Sequence, residues 1–210
     1  MRRLLVSLAI LAALLVGADF GFRLYSESVV SGELRSALAL SEKPSVSFGG
    51  WPFTTHVVSG EFPSASFSAR TFSTHGVELH EVRVTLDDVR FPRRRLISAG
   101  SGVIRASAGH GTVVLTAGDI TAALKGVGAP FTVRIENGRA SASAQGITVG
   151  LDLKVVRGSV VLTPAATTIG SISVRLPSFI RGLRYTSLKL QGSEAVLTMS
   201  LRHPEFVVPR

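Results

Sequence analysis

The side chains best equipped for chemistry are five histidines, His56, His75, His80, His110 and His203. A protein-bound metal needs ligands at a tight spacing such as H-E-x-x-H, and these histidines are scattered without one. Structural or surface histidines are therefore expected, and no metal. Nucleophilic catalysis has no better footing: cysteine is absent, and Gly100-Ser101-Gly102 lacks the spacing of a G-x-S-x-G elbow. Asp87-Asp88 is an adjacent carboxylate pair, but consecutive strand residues point to opposite faces and cannot share a proton, which leaves a solvated strand end. Gly126-Val127-Gly128 lacks the rest of a dinucleotide fingerprint and reads as a turn before a strand. Neither an enzyme nor a bound cofactor is expected from this inventory.

Two features survive. The first is the turn Gly49-Gly50-Trp51-Pro52-Phe53 with Val57 and Val58 just beyond it. Two glycines permit a sharp turn and Pro52 stiffens its tip, so Trp51 and Phe53 can be held as an apolar lip. The competing reading is a turn plugged into the core. The second feature is basic: Arg93, Arg94 and Arg95 follow Phe91-Pro92, and Arg175, Arg181 and Arg184 surround Leu176-Pro177 and Phe179-Ile180. Guanidinium groups interleaved with apolar residues suit the boundary between phosphate headgroups and acyl chains. A solvated loop or edge strand would equally explain Arg93 to Arg95.

These features sit on an exported chain. Arg2 and Arg3 precede fifteen residues without a charge, Leu4 to Ala18, which is short for a membrane span and typical of a signal-peptide core. Val16-Gly17-Ala18 fits a cleavage site, so residues 1–18 read as a signal peptide cut after Ala18 or as an uncut membrane anchor. In both cases the positive flank stays cytoplasmic and the remainder crosses to the far side of the plasma membrane, placing the protein in the cell envelope. Residues 19–210 suit a single domain. Without Arg2 and Arg3 the balance is 21 basic against 14 acidic residues, a formal charge of +7. Export makes nucleic acid a poor partner for that charge and favours an anionic membrane surface or envelope polymer.

The positioning elements follow from periodicity. Phe22, Tyr25, Val29, Val30, Leu34, Ala37 and Leu38 recur every three or four residues and predict an amphipathic helix over Phe22 to Leu40, stopped by Pro44. Beyond it the period becomes two. Val77 and Leu79 are out of phase with Val82, Val84 and Leu86, which predicts a β-bulge near His80 and Glu81. Alternation continues through Val133 and Ile135, through Ile147 to Val155, and through Ala195 to Leu201, as half-buried antiparallel strands. Asn137-Gly138, Arg157-Gly158 and Gln191-Gly192-Ser193 predict hairpin turns. Thr116 and Asp119 frame a capping box before a short helix through Leu124 that Gly126 stops. The fold class is α+β: a long N-terminal helix against a large twisted antiparallel sheet, which can enclose an apolar cavity by curling around the helix.

The exported N-terminus, the helix ending GELRSALAL, the segment PSVSFGGWPFTTHVVSGEF, then EVRVTLDDVRF and GTVVLTAGDITAAL together resemble the LmeA family of envelope phospholipid-binding proteins, named for lipomannan elongation and maintenance. The motif that carries the resemblance is Gly50, Trp51-Pro52-Phe53 and Gly60, with Trp51 where phenylalanine is more usual. The resemblance implies lipid binding, an envelope location and a TULIP-like fold in which a curved sheet wraps a long helix. It supplies no catalytic residues.

The expected function is thus phospholipid binding at the membrane, with an anionic lipid such as phosphatidylinositol as partner. Exposing a sixteen-carbon chain costs on the order of 12 kcal/mol at about 0.8 kcal/mol per methylene, so a lipid carrier must shelter it. Leu34, Leu38, Val84 and Leu86 are the candidate lining, Trp51, Phe53, Val57 and Val58 the candidate lip, and Arg93, Arg94, Arg95, Arg181 and Arg184 the candidate headgroup contacts. The rival is a scaffold module with a fully packed core, docking on an envelope enzyme or anionic glycan.

Overall fold

The structure is a computed structural model that describes residues 2–38, 40–74, 77–91, 102–126, 128–129, 131–165, 170–176 and 181–208. It opens with helix α1 (Arg2–Ala37), followed by strand β1 (Ser45–Phe48), the short helix α2 (Phe53–Ser59), and strands β2 (Glu61–Thr74) and β3 (Val77–Arg90). Next come β4 (Gly102–Arg105), β5 (Ala108–Thr116), helix α3 (Ala117–Gly126), β6 (Thr132–Glu136), β7 (Arg139–Ala144), β8 (Ile147–Val156) and β9 (Ser159–Pro164). Strands β10 (Ile172–Arg175), β11 (Arg181–Gln191) and β12 (Glu194–Val208) complete the chain.

Among the described residues the strands form two antiparallel sheets. The larger has seven strands: β1, β2 and β3 run side by side, β4 and β5 share the next lane, and β12 and β11 close it. The smaller is a five-stranded meander, β6 to β10. The α+β class expected from the sequence holds. Local chemistry fixes the connections, because Asn137 and Gly138, and likewise Arg157 and Gly158, all take positive φ, as two-residue hairpin turns require. Gln145-Gly146 is a further turn of this kind. The phase change in β3 is absorbed at Glu81, whose φ is 45°, where the register with β5 slips between His80 and Arg83. At the start of α3 the Thr116 N–H donates to Asp119 Oδ2 at 2.8 Å and the Asp119 N–H donates back to Thr116 Oγ1 at 3.2 Å.

The sheets face each other across one apolar core. Val113 and Leu115 of β5 and Leu197, Met199 and Leu201 of β12 meet Val133, Ile135, Leu153, Val160 and Leu162 of the smaller sheet, with Ile120 and Leu124 of α3 at one end. A second cluster joins Phe48, Phe53, Phe62, Val89 and Ala106. Leu86 packs against both.

The helix departs from expectation in length and in placement. It runs unbroken from Arg2 through Ala37, and its main contacts are with α2 and with β1 at the edge of the larger sheet, so it lies along that edge and the sheet does not wrap it. The reason is competition for one surface: the inward faces of β5 and β12 are already covered by the smaller sheet and α3. The buried Leu124 tests that shared core. Leu124→Ala should cost about 2–5 kcal/mol in denaturant unfolding, whereas Ile147→Ala, at an exposed position, should stay within about 0.5 kcal/mol.

Candidate functional site

Helix α2 occupies the turn that the sequence singled out. Gly50 has φ 104°, and a Cβ there would lie 2.4 Å from His56 Nε2, so glycine is required. Pro52 has no side-chain hydrogen bond to offer as N-cap. The cap comes instead from α1: the Phe53 N–H donates to Asp19 Oδ2, and the Thr54 N–H and hydroxyl both donate to Asp19 Oδ1, each at 2.8 Å. Gly60 closes the helix in the left-handed conformation, its N–H donating to the His56 carbonyl.

This geometry divides the expected lip. Trp51 is 67% exposed and Val58 76%, while Phe53 is 1% exposed and Val57 8%. Phe53 lies 5.6 Å from Phe62 and 6.2 Å from Phe48, ring centre to ring centre, with Phe22 of α1 edge-on at 5.8 Å. Phe53 and Val57 are therefore core residues, because a helix of this length turns those positions inward while Trp51 and Val58 look out.

The expected lining residues do not converge on one space. Leu34 is half-buried and Leu38 exposed on α1, Val84 is buried in the core between the sheets, and Leu86 bridges the two clusters. The apolar gap lies elsewhere, between the sheets, lined by Leu79, Val113, Leu115, Ile120, Ala123, Val160, Leu162, Val174, Leu176 and Leu197 with Asp119, Arg175 and Tyr185 as its polar members. Its volume is about 40 Å³, against about 300–1,000 Å³ for sites that hold small molecules. Strands β10 and β11 flank it, and among the described residues each pairs with a single neighbour, β9 and β12 respectively. The alternation of Ile172, Val174 and Leu176 was the available signal for this wall, in a strand too short to stand out.

The polar groups of the gap have definite roles. Desolvation pushes the Tyr185 phenol up to about 12, so it stays protonated. Asp119 accepts from Thr116 Oγ1 at 2.6 Å and lies 3.5 Å from His80 Nε2. In a nucleophile–base–acid relay the histidine must sit between hydroxyl and carboxylate, and here the carboxylate sits between them. The trio caps α3. Arg175 is exposed at the gap, and Arg181 and Arg184 are exposed on β11. Leu183 and Tyr185, between and beyond those two arginines, pack inward, which turns Arg184 away from the gap. Glu205, opposite Arg181 in register, pairs with Arg105 at 2.9 Å. Arg93, Arg94 and Arg95 lie outside the described residues, as do Pro177, Phe179 and Ile180.

A curved antiparallel α+β domain with an apolar seam and a long apolar helix accords with one family comparison: the model described as LmeA-like phospholipid-binding matches residues 17–199. The chain belongs to the LmeA-like phospholipid-binding family. No curated protein and no solved structure gives a match. As an LmeA-like protein, the chain has its family motif split between a structural residue, Phe53, and an exposed one, Trp51. Single substitutions should separate them in thermal or denaturant unfolding. Phe53→Ala should cost about 3–5 kcal/mol, and Trp51→Ala should change stability by no more than about 0.5 kcal/mol.

Proposed function

We propose that this is an exported, non-enzymatic protein of the cell envelope that shelters the acyl chains of a phospholipid between its two sheets and serves envelope lipid or lipoglycan maintenance. Family membership supports lipid binding, and the observation that carries the location is the apolar gap flanked by two strands that, among the described residues, are each paired on one side. At about 40 Å³ the gap holds little more than a water molecule. Uptake therefore requires β10 and β11 to part, and strands with one hydrogen-bonded neighbour are the least costly to move. Arg175 beside the opening is placed to meet a phosphate, and an anionic headgroup suits the basic balance of the chain.

The narrow gap also fits a packed scaffold module with no lipid inside, and one experiment divides the two. The full chain, purified in mild detergent and exchanged extensively, should retain stoichiometric phospholipid on solvent extraction or native mass spectrometry. Ala123→Trp fills the gap at an overpacking cost of about 1–3 kcal/mol, leaving a folded protein that should lose most of that lipid. Arg175→Glu should shift the retained lipid away from anionic headgroups. A wild-type protein that carries no phospholipid and takes none from phosphatidylinositol vesicles would favour the scaffold.

A further inference from the structure

The face that α1 turns to the domain is largely polar, with Phe22, edge-on to Phe53, and Val30 as its apolar members. Asp19, Arg23, Glu27 and Ser31, spaced four apart, form the stripe that faces inward: Asp19 caps α2, Glu27 pairs with Arg23 at 3.0 Å and accepts from the Phe48 N–H at 2.9 Å, and Ser31 donates to the Pro44 carbonyl. Phe20, Leu24 and Tyr25 point outward and are more than half exposed. A helix that lay in water would turn the other way. The outward apolar surface is continuous with that of the leader, and Val6–Ser36 is long and apolar enough to cross a membrane.

Length decides how much of the helix the bilayer covers. At about 1.5 Å per residue, residues 4–18 reach about 22 Å, short of a hydrocarbon core of about 30 Å. Residues 4–25 reach about 33 Å. The obstacles to burying that longer stretch are Asp19 and Arg23: the Asp19 carboxylate is already satisfied by two backbone N–H groups and a hydroxyl of α2, and Arg23, near the exported end, is paired with Glu27 at 3.0 Å. The Asp19 contact ties α2, with its exposed Trp51 and Val58, to a point about 9 Å before residue 25 along the helix, where the exported leaflet's acyl chains approach their headgroups.

We infer that the leader is retained as an anchor and that α1 and α2 dock together: residues 4–25 occupy the bilayer, and Trp51 and Val58, held to the helix through Asp19, enter the exported leaflet where acyl chains meet headgroups. Aromatic rings with a polar edge favour that layer, and Tyr25 and Trp51 supply two. This goes beyond the lipid-shelter reading and is independent of it.

The test uses the full chain with a C-terminal tag. Intact mass spectrometry of the membrane-bound protein should show the complete 22.2 kDa chain plus the tag, resistant to alkaline carbonate extraction. A species beginning at Asp19 overturns the inference, as does release by carbonate. Trp51 is the sole tryptophan, so its fluorescence reports the docking without a label. In phosphatidylcholine nanodiscs, lipids brominated near the headgroup end of the chain should remove most of its emission, and lipids brominated near the chain terminus less. Equal emission in brominated and plain nanodiscs contradicts the docking. Asp19→Ala, which frees α2 from the anchor, should restore much of the emission, and unchanged quenching would show that Asp19 does not hold α2. The wild-type comparison stands whether or not that variant folds.

Discussion

Strand β12 is the element on which the architecture depends. It pairs with β11 along one edge and with β5 and then β4 along the other, so among the described residues β11 joins the larger sheet through it. Its inward row, Ala195, Leu197, Met199 and Leu201, is at most 1% exposed and forms the floor on which the smaller sheet rests. Two glycines of β5 make room. Gly111 lies opposite Met199 and Gly109 opposite Leu201, and a Cβ at Gly111 would come within 2.6 Å of the Arg83 carbonyl and 2.9 Å of the Met199 methyl. A backbone lane of this kind tolerates no side chain.

From that frame follow two ends with different properties. At one, the aromatic cluster of Phe48, Phe53 and Phe62 is locked to α1 by Asp19 and by Phe22, with Leu86 tying it to the central core. At the other, the sheets meet along an apolar seam whose flanking strands β10 and β11 have, among the described residues, a neighbour on one side only. In the proposed function, an end fixed to an anchoring helix and a seam that opens at the far strands are the two physical requirements for lifting an acyl chain from a bilayer without releasing it to water.

Much of the fold was legible in the sequence where local chemistry decides it. The hairpin turns require positive φ, the capping box satisfies its own donors, and the bulge at Glu81 follows from a phase change that the chain cannot otherwise absorb. What was hidden depends on partners distant in sequence. Helix α2 carries no cap of its own and borrows one from Asp19, 34 residues away. Trp51 and Phe53 have similar composition and nearly the same address, and only the rings of Phe48 and Phe62 make one of them core. The apolar repeat of α1 was read as a face toward the sheet, since periodicity gives the width of a stripe and not whether protein or lipid covers it. The seam between the sheets was missed because Val174 and Tyr185 become neighbours of Leu79 and Leu162 only when the meander folds over β12.

The central claim, that acyl chains lodge between the two sheets and not along the helix, is tested most directly by a phospholipid bearing a photoreactive group on its acyl chain. The full chain would be illuminated with this lipid in a nanodisc, and the cross-linked residues mapped by mass spectrometry. The account expects adducts at seam residues such as Ala123, Val174, Leu176 and Tyr185, in addition to those on the anchoring part of α1. Adducts confined to α1 and to the Trp51 and Val58 surface, with none in the seam, would contradict it and leave a packed domain that binds lipid only as a membrane.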